Sequence, residues 1–229
     1  MDAQEYIEKA TDPEAWFKKG DELIRDAEAL ADVFIDRFMD LEHSTDSENK
    51  DIQTDSSRLA SMNTTEGFLH ALAIENILKG YLLRKNPTDA EVSISADGNG
   101  NFKDVRLQEI GGAGLTHDLK SLFRRANLPE HLRREENPVI EEPSQIELIE
   151  ESLDHFTHSI RWKGRYPTPR DLDEQQTWMR GITPEELDED EMETPLVNIR
   201  QTGYIRHTKN LIAYLLPSGY PASHEESPY

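Results

Sequence analysis

The chain contains no cysteine. Disulfides, thiolate nucleophiles and cysteine-based zinc sites are thereby excluded, and the composition suits a reducing compartment. Aromatic residues are scarce at 7%, and hydrophobic residues make up only 35% of the 229 positions, so the core is lean. Basic residues are also in short supply: 25 Lys and Arg stand against 46 Asp and Glu, for a net charge of −21. A field of that sign repels nucleic acid and anionic membranes, so any contact with phosphate needs a local basic patch. No apolar run approaches the ~20 residues of a membrane span, and the segment MDAQEYIEKA has none of the layout of a secretory signal. The expectation is a soluble, cytoplasmic protein with no membrane partner.

What is present is helical periodicity. Thr11-Asp12-Pro13-Glu14 supplies a cap oxygen, a proline for the first helical position and an acid for the positive end of the dipole. Trp16, Leu23, Ala27, Leu30, Phe34, Phe38 and Leu41 then follow as one apolar stripe, predicting a helix over Pro13 to Leu41. The polar stretch His43 to Ser57 reads as a loop. A second helix, Arg58 to Lys85, carries Leu59, Met62, Leu69, Ala73, Ile77 and Tyr81 on one stripe, widened by Phe68, Leu72, Leu78 and Leu82. Apolar over most of its circumference, it belongs in the middle of a bundle; Asn86-Pro87 ends it.

Val92 to Leu107 breaks the pattern with short alternation around Asp97-Gly98-Asn99-Gly100, which predicts a small β-hairpin. Gly111-Gly112-Ala113-Gly114 lacks the Lys-Ser/Thr of a phosphate loop and reads as a hinge leading to Thr116, the expected cap of a third helix. Ser144-Gln145-Ile146-Glu147 fits a capping box, and Ile146, Ile149, Leu153, Phe156 and Ile160 give the next helix its packing stripe. Gly164, Pro167 and Pro169 stop it. Residues 171–193 form an acidic surface excursion, with seven acids between Glu185 and Glu193 and a short helix at Thr183-Pro184. Thr194-Pro195 opens a last helix over Leu196 to Leu216. No internal repeat is visible. The fold class is therefore all-α: a four- to five-helix up-and-down bundle with a small β-hairpin insertion. One domain covers 13–216, with 1–12 as an N-terminal lead, 92–109 as the hairpin insertion and 217–229 as a C-terminal tail.

Charge is unevenly spread. Residues 1–55 hold 17 acids and six bases, whereas three later stretches invert the balance. These are Lys120, Arg124, Arg125, Arg133 and Arg134; Arg161, Lys163, Arg165 and Arg170 around the Gly-Arg-Tyr-Pro turn; and Arg200, Arg206 and Lys209 on the last helix. Two readings stand: one basic surface that binds phosphate on an acidic protein, or arginines that neutralise acidic helices and fix the bundle.

Four further groupings carry chemistry or structure. Arg200 and His207, seven apart, share a helix face about 10.5 Å apart along the axis, with Leu196, Tyr204, Leu211 and Tyr214. A histidine can move a proton at neutral pH and an arginine can hold a phosphate in two-pronged fashion. Both are what metal-free RNA cleavage would use, and a core histidine with an acid-paired arginine is the plain alternative. His155 and His158 could share a metal, but no carboxylate stands suitably on the same turn, so no metal site is expected. Glu75 and Lys79, four apart, support their helix or, if buried, fix packing or face a cleft. His117 and Asp118 open the third helix, Asp118 complementing its dipole and His117 reaching a neighbouring helix. No Ser-His-Asp order, HExxH, Walker or dinucleotide fingerprint is present, and no cofactor is expected.

Three of these segments together resemble HEPN-domain proteins: Ala-Ile-Glu-Asn-Ile-Leu-Lys-Gly-Tyr-Leu (73–82), Thr-His-Asp-Leu-Lys-Ser-Leu-Phe (116–123) and Arg-Trp-Lys-Gly-Arg-Tyr-Pro-Thr-Pro (161–169). Each is weak alone, and their order and spacing carry the resemblance across Pro13 to Leu216. It implies a helical bundle, often a homodimer, that binds RNA or nucleotides. Many such proteins are ribonucleases of toxin–antitoxin, phage-defence or RNA-processing systems. The resemblance implies Arg200 and His207 as the catalytic pair, since the family motif sets an arginine and a histidine with four to six residues between them on a late helix, across a dimer interface, and here six intervene. The residue after that arginine is usually Asn, Asp or His; here it is Gln201. Arg161, Lys163, Arg165 and Tyr166, with Lys120 and Arg124, form the expected phosphate-contacting surface. The rival function is a non-catalytic module that docks a cognate protein such as an antitoxin or a nucleotidyltransferase.

Overall fold

The start of the main helical hairpin is set by Asp12 and Pro13. Asp12 Oδ1 accepts from the Glu14 backbone N–H at 3.0 Å, and Pro13, with no N–H to lose, takes the first position of helix α2 (Pro13–His43). The computed structural model describes residues 3–43, 50–98, 102–112, 116–133, 144–160 and 196–216. Ahead of α2, the segment read as a lead is largely helical, α1 (Ala3–Thr11). Thr11 folds its hydroxyl back onto the Ile7 carbonyl at 2.8 Å, and the indole N–H of Trp16 reaches the Ala10 carbonyl at 2.9 Å, tying α1 to α2.

Helix α3 (Lys50–Lys85) runs back beside α2, the most extensive pairing in the fold. It begins at Lys50 rather than Arg58, which corrects the expected loop: residues 50–57 are polar but contain no Gly or Pro, so nothing interrupts the helix. The buried face of α2 is also rotated from the expected stripe. Phe17, Leu23, Ile24 and Ala27 are buried, whereas Trp16, Leu30 and Phe34 are only half-buried. The reason is Gly20, whose missing side chain lets α2 approach α3: a Cβ there would stand 2.6 Å from Ile77 Cγ1 and 3.1 Å from the Ala73 carbonyl. Close contact at Gly20 turns its own face inward. As expected, α3 is the central helix, buried around most of its circumference from His70 to Leu83.

A 3₁₀ turn (Pro87–Asp89) leads into the hairpin, β1 (Ala90–Ala96) and β2 (Phe102–Ile110). The strands pair antiparallel, with Val92 opposite Leu107 and Ala90 opposite Ile110, and irregularities in register near both ends. Leu107 and Ile110 turn into the core, while Ile94 near the tip faces solvent. Gly111 and Gly112, at φ 62° and 72°, carry the chain off β2 in a left-handed conformation that only glycine adopts freely. Helix α4 (Leu119–Arg125) is capped by Asp118, not Thr116: Asp118 Oδ1 accepts from the Ser121 N–H at 2.9 Å, and Thr116 Oγ1 accepts from the Asp118 N–H at 3.0 Å. Asn127, at φ 56°, separates α4 from the short α5 (Leu128–Leu132).

Helix α6 (Ser144–His158) buries every residue of its expected stripe except that Ile160 lies just past its end, where it is buried as well. It packs against α7 (Leu196–Leu215), and both rest on α3. Thr157 Oγ1 accepts from the Leu119 N–H at 3.0 Å, locking the start of α4 to α6. The chain is thus mostly helical, with seven helices and one two-stranded hairpin among the described residues, around one core that includes Phe17, Ile74, Phe123, Phe156 and Leu211. No described helix is long and apolar enough to cross a membrane.

Candidate functional site

Glu75 and Lys79 are almost wholly buried, at 5% and 4% exposure, one turn apart on the central helix. Lys79 Nζ donates to Glu75 Oε1 and stands 5.6 Å from the centre of the Trp16 ring. The second carboxylate oxygen, Oε2, lies 3.0 Å from His117 Nδ1, which arrives from 42 residues away. Burying an ion pair is expensive unless its hydrogen bonds are satisfied, and here both carboxylate oxygens are engaged. These three side chains floor an open cleft of about 520 Å³. Its walls come from α1, α2 and β2, with Tyr6, Trp16 and Leu107 facing Leu72 and Asn76 of α3. Tyr6 is held in place because its hydroxyl accepts from the Leu107 N–H at 3.3 Å.

The next residue in the chain belongs elsewhere. Asp118 lines a second, more polar cleft of about 400 Å³ with Lys120, Arg124, Arg125 and Asp154. The two expected phosphate-binding residues here are both engaged by α6. Lys120 Nζ lies 2.6 Å from Asp154 and 3.9 Å from Glu150, and Arg124 grips both oxygens of Glu150 at 2.8 and 2.6 Å. Hydrogen bonding and charge from Arg124, with Lys120 adding to the effect, hold the Glu150 carboxyl below its usual range. Arg125 reaches the Gly112 carbonyl. On this surface Lys120 and Arg124 are thus matched by acids of α6, while Arg125 meets a backbone carbonyl.

His207 of the expected catalytic pair sits on the α6–α7 seam. Half-buried, it places Nδ1 3.4 Å from Ser152 Oγ, while Ser152 donates to the Leu148 carbonyl at 2.6 Å. One turn earlier Tyr204 is buried against His155, ring centres 4.3 Å apart, with its hydroxyl 3.3 Å from Glu151. Arg200 lies on the same helix, and its side chain falls outside the described residues, as do Arg161, Lys163, Arg165 and Tyr166 and the short helix read at Thr183-Pro184. His155 and His158 join no metal cluster: among the described residues, no group of three ligating side chains comes together.

Sequence reasoning therefore found Glu75, Lys79 and His117 but missed Tyr6, Trp16 and Asn76 as their neighbours. It also missed Glu66, whose carboxyl is pushed up to about 7 by burial. That glutamate stands one turn before His70, which is buried and 5.5 Å from the Phe156 ring. Glu66 and His70, one turn apart beside the apolar stripe of the central helix, were the available signal. Set against protein-family models, curated proteins and solved structures, the chain has no match.

Proposed function

We propose that this protein binds RNA through its phosphates and cleaves it without metal, as a cytoplasmic homodimer of the HEPN type in a toxin or phage-defence setting. One observation supports the reading most: His207 is half-buried on the last helix, with one ring nitrogen 3.4 Å from Ser152 Oγ. A base whose ring is oriented by a second group is the arrangement that proton transfer needs. In this reaction the 2′-oxygen attacks the adjacent phosphorus and its proton passes to His207. The bond to the 5′-oxygen breaks, and that oxygen leaves with a proton supplied by water or by the protonated His207. Arg200, facing its counterpart across the dimer, stabilises the charge on the transferring phosphate. The products carry 2′,3′-cyclic phosphate ends. Positioned acid–base groups contribute on the order of a hundredfold to ten-thousandfold in rate, so His207→Ala abolishes readily detected cleavage in EDTA. Cleavage that persists in the variant, or stops when metal is removed, sinks the assignment.

A second reading is favoured by a different observation. Lys120 and Arg124 are already matched by Glu150 and Asp154, so this face suits a protein partner with alternating charge, such as an antitoxin or nucleotidyltransferase, as well as it suits phosphate. Salt separates the two. RNA binding weakens steeply as salt rises, with a slope set by the number of phosphate contacts. No measurable RNA affinity at low salt makes the non-catalytic docking module the better account.

A further inference from the structure

We propose that the cleft over Glu75, Lys79 and His117 binds a neutral, planar heterocycle that presents ring N–H groups, of the lactam type found in uracil or hypoxanthine. This stands apart from the phosphate reading above, because it concerns a different face of the molecule and no charged part of the ligand. The hydrogen bonds already made in the cleft define what is left over. Glu75 accepts on both oxygens, from Lys79 and from His117 Nδ1. In the neutral imidazole this bond places the hydrogen on Nδ1 and the lone pair on Nε2. Among the described residues Nε2 has no partner, and the His117 side chain is 39% exposed. Asn76 Nδ2 donates to the Leu72 carbonyl at 2.7 Å, which leaves Oδ1 as an acceptor. The cleft thus offers two acceptors, with the Tyr6 O–H left over as a donor because its oxygen only accepts from Leu107 N–H, and a lactam matches both with its ring N–H and its carbonyl.

Charge points the same way. Lys79 is neutralised by Glu75, and Lys9 at the rim lies 2.9 Å from Glu5, so no cation in the cleft is spare for a phosphate. Shape supplies the planarity. Trp16 and Tyr6 present aromatic rings whose polar atoms are already bonded to backbone, at Ala10 and Leu107 respectively. Rings held in this way lose little freedom on binding, and a volume of about 520 Å³ is that of a small-molecule site.

The test is calorimetric titration of the full chain with uridine, with inosine, and with the ring-N-methylated form of each. The unmodified nucleosides bind and the methylated forms bind at least about tenfold more weakly, the loss expected when a buried acceptor is left without its donor. Uridine monophosphate binds within about threefold of uridine at low and high salt, as a site without spare charge requires. His117→Phe, which keeps a ring and removes the nitrogen, erases the preference for the unmethylated nucleoside, and Trp16→Leu weakens both forms. The methylation comparison uses the unaltered protein, so it stands whether or not a variant folds. Absence of binding by either nucleoside at millimolar concentration overturns the proposal. So does equal binding of methylated and unmethylated forms, or a salt-sensitive preference for the monophosphate. RNA cleavage measured on the same preparation reports separately on Arg200 and His207, so the two readings fail independently.

Discussion

His117 and Asp118 are neighbours in the chain and line different clefts. His117 reaches Glu75 at 3.0 Å, and Asp118 turns the other way to cap α4 and line the surface with Lys120. The extended backbone at Asp118, φ −80° and ψ 96°, sends successive side chains to opposite sides. Asp118→Ala therefore removes a cap at about 1 kcal/mol while leaving the aromatic-walled cleft intact. Thermal melts check the first part, and nucleoside titration of the same variant checks the second.

The pair of Glu75 and Lys79 is predicted to show the asymmetry of buried charges. Glu75→Leu strands the Lys79 ammonium and lowers stability by about 3–5 kcal/mol, whereas Glu75→Leu with Lys79→Met recovers most of the loss. Denaturant unfolding of the two variants measures it. Equal destabilisation by the single and double changes would mean that the stranded charge is not the cause.

Glu66 links stability to pH. Its carboxyl titrates near 4.5 when unfolded and at about 7 in the fold, because burial disfavours the carboxylate. The folded state holds the proton more tightly, so this contribution is complete below about pH 4.5 and is lost as pH rises towards 7. At 1.36 kcal/mol per unit the loss amounts to about 3 kcal/mol. Glu66→Gln removes that fall, so the stability difference between variant and parent should grow across this window and level off above it. A pH-independent difference would contradict the assignment.

Gly20→Ala is expected to destabilise, although alanine is the better helix former. The added Cβ meets Ile77 Cγ1 at 2.6 Å, close to the α3 backbone, so the helices must separate. Overpacking of that kind costs about 1–3 kcal/mol, against roughly 1 kcal/mol gained in propensity. In an Ile77→Ala background, which lacks the clashing Cγ1, Gly20→Ala should cost less than in the parent, as measured by denaturant midpoints.

Much of the fold was legible in the residue order because helical and strand periods are local. Ile146, Ile149, Leu153, Phe156 and Ile160 all lie on the buried side, and the hairpin forms where Val92 to Leu107 alternates. Glu75 and Lys79 were visible as a pair because they are four apart on one helix. Rotation of each helix against its neighbours was not visible, since it depends on close approach at points such as Gly20, and so Phe17 and Ile24 rather than Trp16 fill the core. The candidate cleft is the extreme case. His117 meets Glu75 across 42 residues and Leu107 meets Tyr6 across 101, and the short stripe of α1, Ala3, Tyr6, Ile7 and Ala10, carries no sign of which elements it meets. Lys120 and Arg124 likewise looked like an open basic surface in the chain, and only the docking of α4 on α6 matches them to Asp154 and Glu150. Periodicity assigns a side chain to a face of its own helix; which partner that face meets is decided by packing between helices.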